Sequence, residues 1–329
     1  MAPALPFLAA AALDLLFGDP PRPTHPVVLI GRWIAAWERL LYGGRTPAAR
    51  RLRGAALVLV TLGAAAGLPW AVLAVLARHA PTLGLALAVW WLATSLAARD
   101  LAASALAVRE RLVAGDLPGA RRAVGRIVGR ETAGLDEPEV VRAAVESVAE
   151  NANDGVVAPL FWAWAGALLP PPGLPGWAGA AVGALAYKAV NTLDSMVGYR
   201  SPRYLHFGWA SARLDDLANW LPARLAALLA VAAAPLAGAS AGRAWRTLRR
   251  DGRKHPSPNS GLGEAAYAGA LGVRLGGLNV YGGRASPHPY LGEPLRPLEP
   301  GRITEAVRLL AWTGGLAVLL AAAAAEVIR

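Results

Sequence analysis

The sequence has 329 residues, of which 55% are hydrophobic and only 17% are charged. An ordinary soluble domain carries about 25% charged residues, so this composition indicates a membrane protein. The chain has no cysteine, which excludes disulfides and thiolate metal sites. Its net charge of +11 comes almost entirely from arginine. Because no basic stripe with interleaved aromatic residues occurs, we expect no binding to nucleic acid.

The N-terminal segment, residues 1–18, is apolar but lacks a basic region at its start and carries Asp14 within the apolar run. We therefore predict a retained helix rather than a signal peptide. Asp19 and His25 follow on a proline-rich loop and are candidates for substrate binding. The alternative is that His25 is structural, which is usual for a lone histidine between prolines.

Five later segments are apolar enough, or nearly so, to lie in a membrane, because crossing the hydrocarbon layer takes about 20 apolar residues. They are Gly54 to Ala77, Ala80 to Leu96, Gly155 to Tyr187, Leu225 to Gly242 and Leu309 to Ala325. The third is long enough for a hairpin of two short helices, and Pro235 interrupts the fourth. We predict an all-α, polytopic membrane protein with about four to six membrane-embedded helices, formed by residues 1–329 as a single domain.

Arginine-rich segments indicate which side of the membrane the loops occupy. Arginines are concentrated in residues 32–53 and 99–142, on either side of the first two spans, so both segments should be cytoplasmic. We expect cytoplasmic loops at about residues 32–53, 99–154 and 193–224. Residues 243–308 join them if the segment around Pro235 re-enters the membrane rather than crossing it. The predicted location is the cell (inner) membrane, with the active site on the cytoplasmic side.

The first polar cluster lies in "ESVAENANDG", at the edge of an apolar segment. Helical spacing places Glu146, Glu150, Asn153 and Asp154 on one face. Like charges on one stripe repel, so we predict a cation there: Mg²⁺, which prefers carboxylate and amide oxygens, or a cationic ligand. The alternative is a solvated helix end with "NANDG" as its cap and turn.

Two further clusters follow in "YKAVNTLDSMVGY" and "SARLDDLANW". In the first, Lys188, Asn191 and Asp194 step by three along a helix, so that Lys188 could hold a phosphate while Asp194 takes a metal. The alternative is a snorkelling lysine paired with Asp194. In the second, Asp215 and Asp216 either share a metal or face opposite ways.

A fourth cluster surrounds "RKHPSPNSGLGE". Its two prolines exclude a helix over residues 256–258, and the polar residues after them are a plausible N-cap for a helix with Glu264 in its first turns. A helix start next to basic residues is a ready anion site. The residues of this predicted site are Arg253, Lys254, His255, Asn259 and Ser260. The alternative is a well-capped helix with no ligand.

The common phosphate-loop, nucleophile-elbow and zinc-protease motifs are missing from the sequence. Five long strings, in order along nearly the whole chain, instead resemble the CobD/CbiB family of cobalamin biosynthesis. They are "DLLFGDPPRPTHPVVLIGR", "ESVAENANDGVVAPLFW", "YKAVNTLDSMVGYR", "FGWASARLDDLANWLPARL" and "HPSPNSGLGEAAYAGALGVRLGG". Family members often have an aromatic residue and a proline where this chain has Leu262 and Gly263, which puts the local loop shape in question.

This resemblance implies an integral membrane enzyme, an adenosylcobinamide-phosphate synthase. Such an acid–amine ligase joins aminopropanol, or its phosphate, to a carboxylate of adenosylcobyric acid and consumes ATP with Mg²⁺. The carboxylate needs activation, and an acyl phosphate would supply a leaving group. The implied partners are the corrinoid, the amine donor, ATP and membrane lipids. Whether the donor is phosphorylated and whether an oligomer forms stay open.

The working assignment of roles combines the clusters with this resemblance. Predicted catalytic residues are Glu146, Glu150, Asp154, Lys188 and Asp194. Predicted metal ligands are Glu150, Asp154, Asp194, Asp215 and Asp216. Predicted substrate- or phosphate-binding residues are Asn153, Asn191, Arg253, Lys254, His255, Asn259, Ser260, Glu264, Asp19 and His25. We expect the acidic clusters to meet in one ion-binding pocket beneath the bilayer.

Two rival functions belong to other classes. A polytopic, Mg²⁺-dependent prenyltransferase would also carry aspartates at cytoplasmic helix ends, although its usual D-x-x-x-D spacing is not present. Turnover of an isoprenyl diphosphate would identify it. A non-catalytic membrane scaffold for corrinoid enzymes is the other rival. Loss of turnover in single variants that keep their fold and partner binding would exclude that scaffold.

Overall fold

The structure, a computed structural model, describes residues 2–20, 24–199 and 201–327. In this part of the chain there are fourteen α-helices and one two-stranded antiparallel hairpin. The predicted helical membrane architecture is confirmed, whereas the hairpin was not predicted. Residues 21–23 of the proline-rich loop and Arg200, which belong to two of the motifs, lie outside the described residues.

The chain divides into two compact units, each assembled from separate stretches of sequence. The first unit comprises Met1–Ala97, Ala158–Asn219 and Val318–Arg329, and the second comprises Ala98–Val157 and Trp220–Ala317. Each unit therefore contains predicted site residues.

The regular secondary structure of the first unit is helical in the described residues, and the unit includes the end of α14 (Gly301–Glu326). Its helices are α1 (Leu5–Phe17), α2 (Pro26–Leu41), α3 (Pro47–His79), α4 (Pro81–Ala93), α8 (Ala158–Leu168), α9 (Gly176–Val197) and α10 (Trp209–Ala218). A core of Ile34, Leu57, Leu193 and Phe207 joins α2, α3 and α9. Gly54 lets α3 approach the backbone there, because a Cβ at this position would lie 1.8 Å from the Phe207 carbonyl oxygen.

The longest helix, α3, begins at a clear start signal. Thr46 is its N-cap, with Oγ1 accepting a hydrogen bond from the Ala49 N–H at 3.2 Å, and Pro47 follows at the first helical position. The helix then continues for 33 residues. It contains the predicted span Gly54 to Ala77.

Residues 155–187 contribute a helical hairpin, as predicted from the "PPPGLPG" turn. Helices α8 and α9 approach at glycines: a Cβ on Gly166 would lie 2.2 Å from the Gly179 carbonyl oxygen, and one on Gly183 would lie 2.2 Å from that of Trp162. Such close backbone approach is how small residues pack helices in lipid, where burial of apolar surface drives little association.

Three helical stretches of the described chain are long and apolar enough to cross a membrane: Pro47–His79, Pro81–Val113 and Gly301–Glu326. The pair Trp209–Ala218 and Trp220–Ala233 adds a fourth if it is counted as one bent span. This result confirms the predicted spans near residues 54–96 and 309–325. The helix within residues 225–242 ends at Ala233, before Pro235, as the proline predicted.

The second unit holds the remaining elements. They are α5 (Ala98–Val113), α6 (Leu117–Val124), α7 (Glu137–Ala152), a π-helical turn (Asn153–Val157), α11 (Trp220–Ala233), α12 (Ala241–Asp251), α13 (Ser260–Leu271), β1 (Arg274–Tyr281), β2 (Arg284–Gly292) and the first part of α14 (Gly301–Glu326). Helices α12 and α13 pack closely, since a Cβ on Gly269 would lie 2.6 Å from the Arg243 carbonyl oxygen.

The hairpin follows from two glycine pairs. Gly282 and Gly283, with φ values of 54° and 72°, form the two-residue turn between β1 and β2. Both central residues of a type I′ turn need positive φ, which glycine adopts without strain. Near the other end the register shifts between Leu275 and Gly277, and this bulge directs the backbone N–H of Gly276 toward α7.

Candidate active site

A polar cavity of about 260 Å³ lies within the second unit, and we call it the carboxylate cavity. Helix α7, helix α13, the loop before α7 and the β-hairpin all contribute side chains to its wall. The lining residues are Ile127, Val128, Gly129, Arg130, Glu146, Ser147, Glu150, His255, Glu264, Gly276, Asn279, Tyr281 and His288. Four of them, Glu146, Glu150, His255 and Glu264, are among the predicted site residues.

Glu146 is held on every side by donors. It forms an ion pair with Arg130, and Nη1 of Arg142 donates to its Oε1 at 3.0 Å. The Gly276 N–H donates to the same oxygen at 2.7 Å. All these partners satisfy the carboxylate in a buried position, so the structure makes Glu146 an anchor between α7 and the hairpin.

Arg142 extends this network and is only 2% exposed. Its guanidinium also donates to the Leu278 carbonyl oxygen at 3.2 Å and to Asn279 Oδ1 at 3.1 Å. Arg130 donates to the same Asn279 oxygen at 2.5 Å. The network therefore fixes strand β1 against α7 and closes one wall of the carboxylate cavity.

Glu150 faces the cavity one turn beyond Glu146. Its side chain is exposed to the solvent that fills the cavity, while protein atoms crowd around its carboxyl group. Burial, and next the negative charge of Asp154, raise the pKa of Glu150 from 4.5 to about 7. Ser260 Oγ donates to Glu150 Oε1 at 3.3 Å and only partly offsets these effects. A cation bound here would relieve the same repulsion.

Glu264, on α13, is a second acidic group that only the more distant charges of Arg130 and Arg142 partly compensate. It is buried, and among the described residues its carboxylate has no hydrogen-bond or ion-pair partner. Burial, followed by the charges of Glu146 and Glu150, raises the pKa of Glu264 well above its ordinary value. Perturbed carboxyl groups that converge in a cleft are typical of functional sites.

Two neutral histidines border the same cavity. The rings of His255 and His288 lie 5.2 Å apart between centroids, and His288 stacks on Tyr281. Burial, with a contribution from His288, lowers the pKa of His255 to about 4, and burial also lowers that of His288. Nδ1 of His255 accepts a hydrogen bond from the Ser257 N–H at 3.0 Å, so the single ring proton lies on Nε2.

The start of α13 differs in detail from its prediction. Asn259 occupies the N-cap position, but its side chain makes no cap hydrogen bond. Ser257 Oγ lies instead 3.3 Å from the Asn259 N–H and 3.4 Å from the Ser260 N–H. Ser257 therefore takes the capping role that the sequence pattern assigned to the next polar residues.

The basic residues before α13 are also arranged differently from the predicted anion site. Lys254 Nζ lies 2.6 Å from Asp251 Oδ1, and the same buried carboxylate accepts from Arg250 at 2.8 Å and from the Gly292 N–H at 2.9 Å. Lys254 is thus committed to an ion pair that holds α12 to the hairpin. Arg253 is exposed.

The predicted helical face of Glu146, Glu150, Asn153 and Asp154 is interrupted. Helix α7 ends at Ala152 and continues as a π-helical turn, Asn153–Val157. Extra residues per turn rotate the last two side chains relative to a regular helix, and π turns recur at functional sites. Asn153 Nδ2 donates to Asp154 Oδ1 at 2.7 Å, so these two side chains orient each other.

The other predicted residues lie in the first unit. Lys188, Asn191 and Asp194 are on α9, as predicted, and are partly buried. Asp215 and Asp216 are on α10, which packs on α9 through the hydrogen bond from Tyr187 Oη to Asn219 Oδ1 at 3.0 Å. The two clusters thus belong to neighbouring helices. Their meeting with the carboxylate cavity in one pocket stays a prediction.

His25 and Asp19 have well-defined local roles. His25 Nδ1 accepts from the Val27 N–H at 3.1 Å and so caps α2, while its Nε2 lies 3.1 Å from Asp19 Oδ1. Nδ1 thus serves the helix cap, whereas Nε2 lies close to Asp19 without a hydrogen bond of good geometry within the described residues. This arrangement matches the structural alternative for His25; its predicted contact with substrate stays a prediction.

Four residues that line the carboxylate cavity were not predicted from the sequence: Arg130, Asn279, Tyr281 and His288. Nor were Arg142 and Asp251, which hold the hairpin to α7 and α12. All lie in or contact the hairpin, which was not predicted. The available signal was the Gly282–Gly283 pair, which permits a two-residue hairpin turn. In the described part of the chain, no group of three or more histidine, aspartate and glutamate side chains is placed to hold a metal ion.

Comparisons with known proteins identify the family of this chain. The sequence profile of the family described as CobD/Cbib protein matches residues 7–310. A cobalamin biosynthesis protein CobD of Geobacter metallireducens is 52% identical over 316 residues, which cover 96% of this chain and 94% of the relative.

Two other relatives are similar over nearly their whole length. A cobalamin biosynthesis protein CobD of Klebsiella pneumoniae is 44% identical over 317 residues (96% of this chain, 95% of the relative). A cobalamin biosynthesis protein CbiB of Salmonella typhimurium is 42% identical over 324 residues (97% of each). No solved structure matches the chain significantly. The chain belongs to the CobD/CbiB family of cobalamin biosynthesis proteins.

Proposed function

We propose that this protein is an adenosylcobinamide-phosphate synthase, an ATP- and Mg²⁺-dependent ligase. It would form the amide between a carboxylate of adenosylcobyric acid and aminopropanol or its phosphate. Membership of the CobD/CbiB family supports the pathway. The observation that carries the reaction type is the carboxylate cavity, in which Glu150 and Glu264 converge without enough positive charge to compensate them.

Amide formation needs a site that attracts an amine. An amine donor carries a positive charge at neutral pH, and a buried carboxylate without a partner is the group that gains most from pairing with it. Glu264 is such a carboxylate. We assign Glu264 to hold the ammonium group of the donor, with the neutral His255 as a hydrogen-bond donor on the same wall.

The residues also fit Mg²⁺ in type. Glu150 and Asp154 are oxygen donors whose charges repel each other. Mg²⁺ is commonly held by one or two carboxylates together with substrate phosphates and water, so a set of three protein ligands is unnecessary. Glu150 and Asp154 would hold the ion, which would offset the charge of the nucleotide phosphates. Asp194, Asp215 and Asp216 stay as further proposed ligands, and Lys188 and Asn191 as proposed phosphate contacts.

The rest of the network positions these groups. Arg130 and Arg142 hold Glu146, and through Gly276 and Asn279 they hold the hairpin that carries Tyr281 and His288. Rigid support of this kind keeps reacting groups in place, and small misplacements cost large factors in rate. We therefore assign Glu146 to positioning rather than to contact with a reacting atom.

The test is amide formation by the purified protein in detergent, with the corrinoid acid, the amine donor, ATP and Mg²⁺. Glu150→Gln and Glu264→Gln keep the side-chain size and remove the charge, so each should lower the rate at least about a hundredfold, as loss of a charged contact in an active site commonly does. Glu137→Gln is the matched control, because Glu137 is exposed at the start of the same helix α7.

Normal rates in both cavity variants would exclude this site. If the wild-type protein forms no amide, or forms it without consuming ATP, the proposed ATP-dependent ligase function is excluded. Replacing the phosphorylated donor by free aminopropanol identifies which form is used.

A further inference from the structure

A second cavity in the same unit, of about 580 Å³, is lined on one side by guanidinium groups. We call it the arginine cavity. It lies among the start of α7, the bulged end of the hairpin and residues 294–298. Its charged lining residues are Arg142, Arg274, Arg296 and Glu139, and Glu139 forms an ion pair with Arg142. Gly276 borders both this cavity and the carboxylate cavity, so the two are neighbours across one backbone segment.

Two of the three arginines are already neutralised. Arg142 is paired with Glu139 and Glu146. Arg296 makes a two-pronged contact with Glu305, with nitrogen–oxygen distances of 2.9 and 3.0 Å. Their role in the wall is thus largely structural.

Arg274 is different. Its side chain is exposed, and within the described residues its recorded partner is the ring of Tyr290, whose centroid lies 4.3 Å from Cζ of the arginine. No carboxylate of the described chain neutralises it. Stacking on a ring restricts a guanidinium while leaving its N–H groups free to donate, which is the arrangement that recognises planar or tetrahedral oxyanions.

The backbone below Tyr290 is shaped for this stack. Gly277 has a φ of +102°, and a Cβ at that position would lie 3.1 Å from the Tyr290 ring. A larger residue would strain the backbone and push the ring away from its position over the strand. Glycine therefore allows the ring, and with it Arg274, to lie at the cavity wall.

The size and lining of the cavity limit the class of ligand. Sites for small ligands commonly enclose about 300–1,000 Å³, and this cavity is within that range. Prolines and leucines, including Pro138, Leu295 and Leu298, also line the cavity. Such a mixture suits a ligand with an anionic group and an uncharged, partly apolar remainder.

We infer that the arginine cavity binds a phosphate group of a substrate, with Arg274 as the principal contact. The identity of this substrate rests on the proposed function, whose candidate substrates include two that carry phosphate: ATP and a phosphorylated amino alcohol. Either would then lie next to the carboxylates across Gly276. This position differs from the start of α13, where Lys254 is committed to Asp251.

Calorimetric titration of the full-length protein in detergent tests the inference. The probes are a non-hydrolysable ATP analogue with Mg²⁺ and, separately, aminopropanol phosphate. Arg274→Gln should weaken binding of one of them about tenfold or more, the usual effect of losing a charge-assisted hydrogen bond. Arg284→Gln is the matched control: Arg284 is an exposed arginine of the same hairpin that lines neither cavity, and its variant should bind within about twofold of wild type.

Each outcome has a defined meaning. A loss confined to the ATP analogue identifies the nucleotide as the ligand, and a loss confined to aminopropanol phosphate identifies the amine donor. Unchanged binding of both probes by Arg274→Gln, or equal losses in both arginine variants, overturns the inference. Binding that depends on Arg274 without any amide formation by wild type would instead leave this site standing and remove the proposed function.

Discussion

Replacing Gly276 by alanine should open the bulged end of the β-hairpin. Gly276 has a φ of +84°, and an added Cβ would lie 2.1 Å from the Pro289 carbonyl oxygen and 3.2 Å from Tyr290 Cα. Both contacts are with the backbone of the paired strand, so no side-chain rotation relieves them. The strands must separate, and the hydrogen bond from the Gly276 N–H to Glu146 would break with them.

The expected cost has two parts. Alanine with a left-handed backbone costs about 1–2 kcal/mol relative to glycine. Loss of a buried hydrogen bond to a charged carboxylate costs about 1.5–3 kcal/mol. Gly282→Ala is the matched control in the same hairpin: its φ is +54°, but a Cβ there meets no atom within 4 Å. That variant should show the first cost alone, so the two variants should differ by the second cost, about 1.5–3 kcal/mol.

Hydrogen–deuterium exchange of the purified full-length proteins measures this difference as local opening of residues 274–292. A difference of that size corresponds to roughly 10- to 150-fold faster exchange in Gly276→Ala than in Gly282→Ala. Equal exchange in the two variants would show that the close approach at Gly276 and its bond to Glu146 contribute little, and the account of the hairpin as an anchored wall would be wrong.

Two further predictions concern carboxyl groups with shifted pKa values, Glu150 and Asp251. The pKa of Glu150 is raised to about 7, so the folded protein binds this proton more tightly than the unfolded chain does, and the stability of the fold should decrease as pH rises from about 4.5 to 7. Glu150→Gln should make the unfolding temperature less dependent on pH in this range. An unchanged pH profile in that variant would contradict the raised pKa. Although burial opposes it, hydrogen bonds from Arg250 and Lys254 hold the pKa of Asp251 well below its ordinary value. Its stabilisation should thus be present above the ordinary carboxyl pKa and be lost as pH falls below it. Asp251→Asn should lower the free energy of unfolding by about 3 kcal/mol at neutral pH, and faster proteolysis of the hairpin would report this loss. A variant that resists the protease as well as the wild type does would show that the ion pairs are dispensable.

The helices that lie in the membrane followed from composition alone. Hydrocarbon leaves backbone groups no partner outside the chain, so about 20 apolar residues can only be helical there, and residues 54–96 and 309–325 behave accordingly. Some helix boundaries also followed from prolines, because a proline lacks the N–H group that continues the hydrogen-bond pattern of a helix. Pro47 begins α3, and Pro235 follows the end of α11.

The carboxylate cavity depended on contacts that no local pattern encodes. Glu146 and Glu150 were recognised as one acidic face, but their opposite environments come from partners distant in the chain: Gly276 lies 130 residues after Glu146, and Ser260 lies 110 residues after Glu150. The β-hairpin brings Gly276, Asn279 and His288 to α7. Strand pairing joins residues that are distant in the sequence. The spacing of residues along α7 therefore cannot show how the hairpin changes the surroundings of Glu146 and Glu150.

The sequence by itself determined the helical membrane architecture, the family resemblance and most of the acidic residues of the site, because hydrophobic length, proline and charge act locally. Tertiary structure alone decided which carboxylates are compensated. Glu146 forms ion pairs with Arg130 and Arg142, whereas Glu264 is buried and makes no ion pair in the described part of the chain. The physical reason is that the energy of a buried charge depends on every group packed around it, and those groups converge only when the chain has folded.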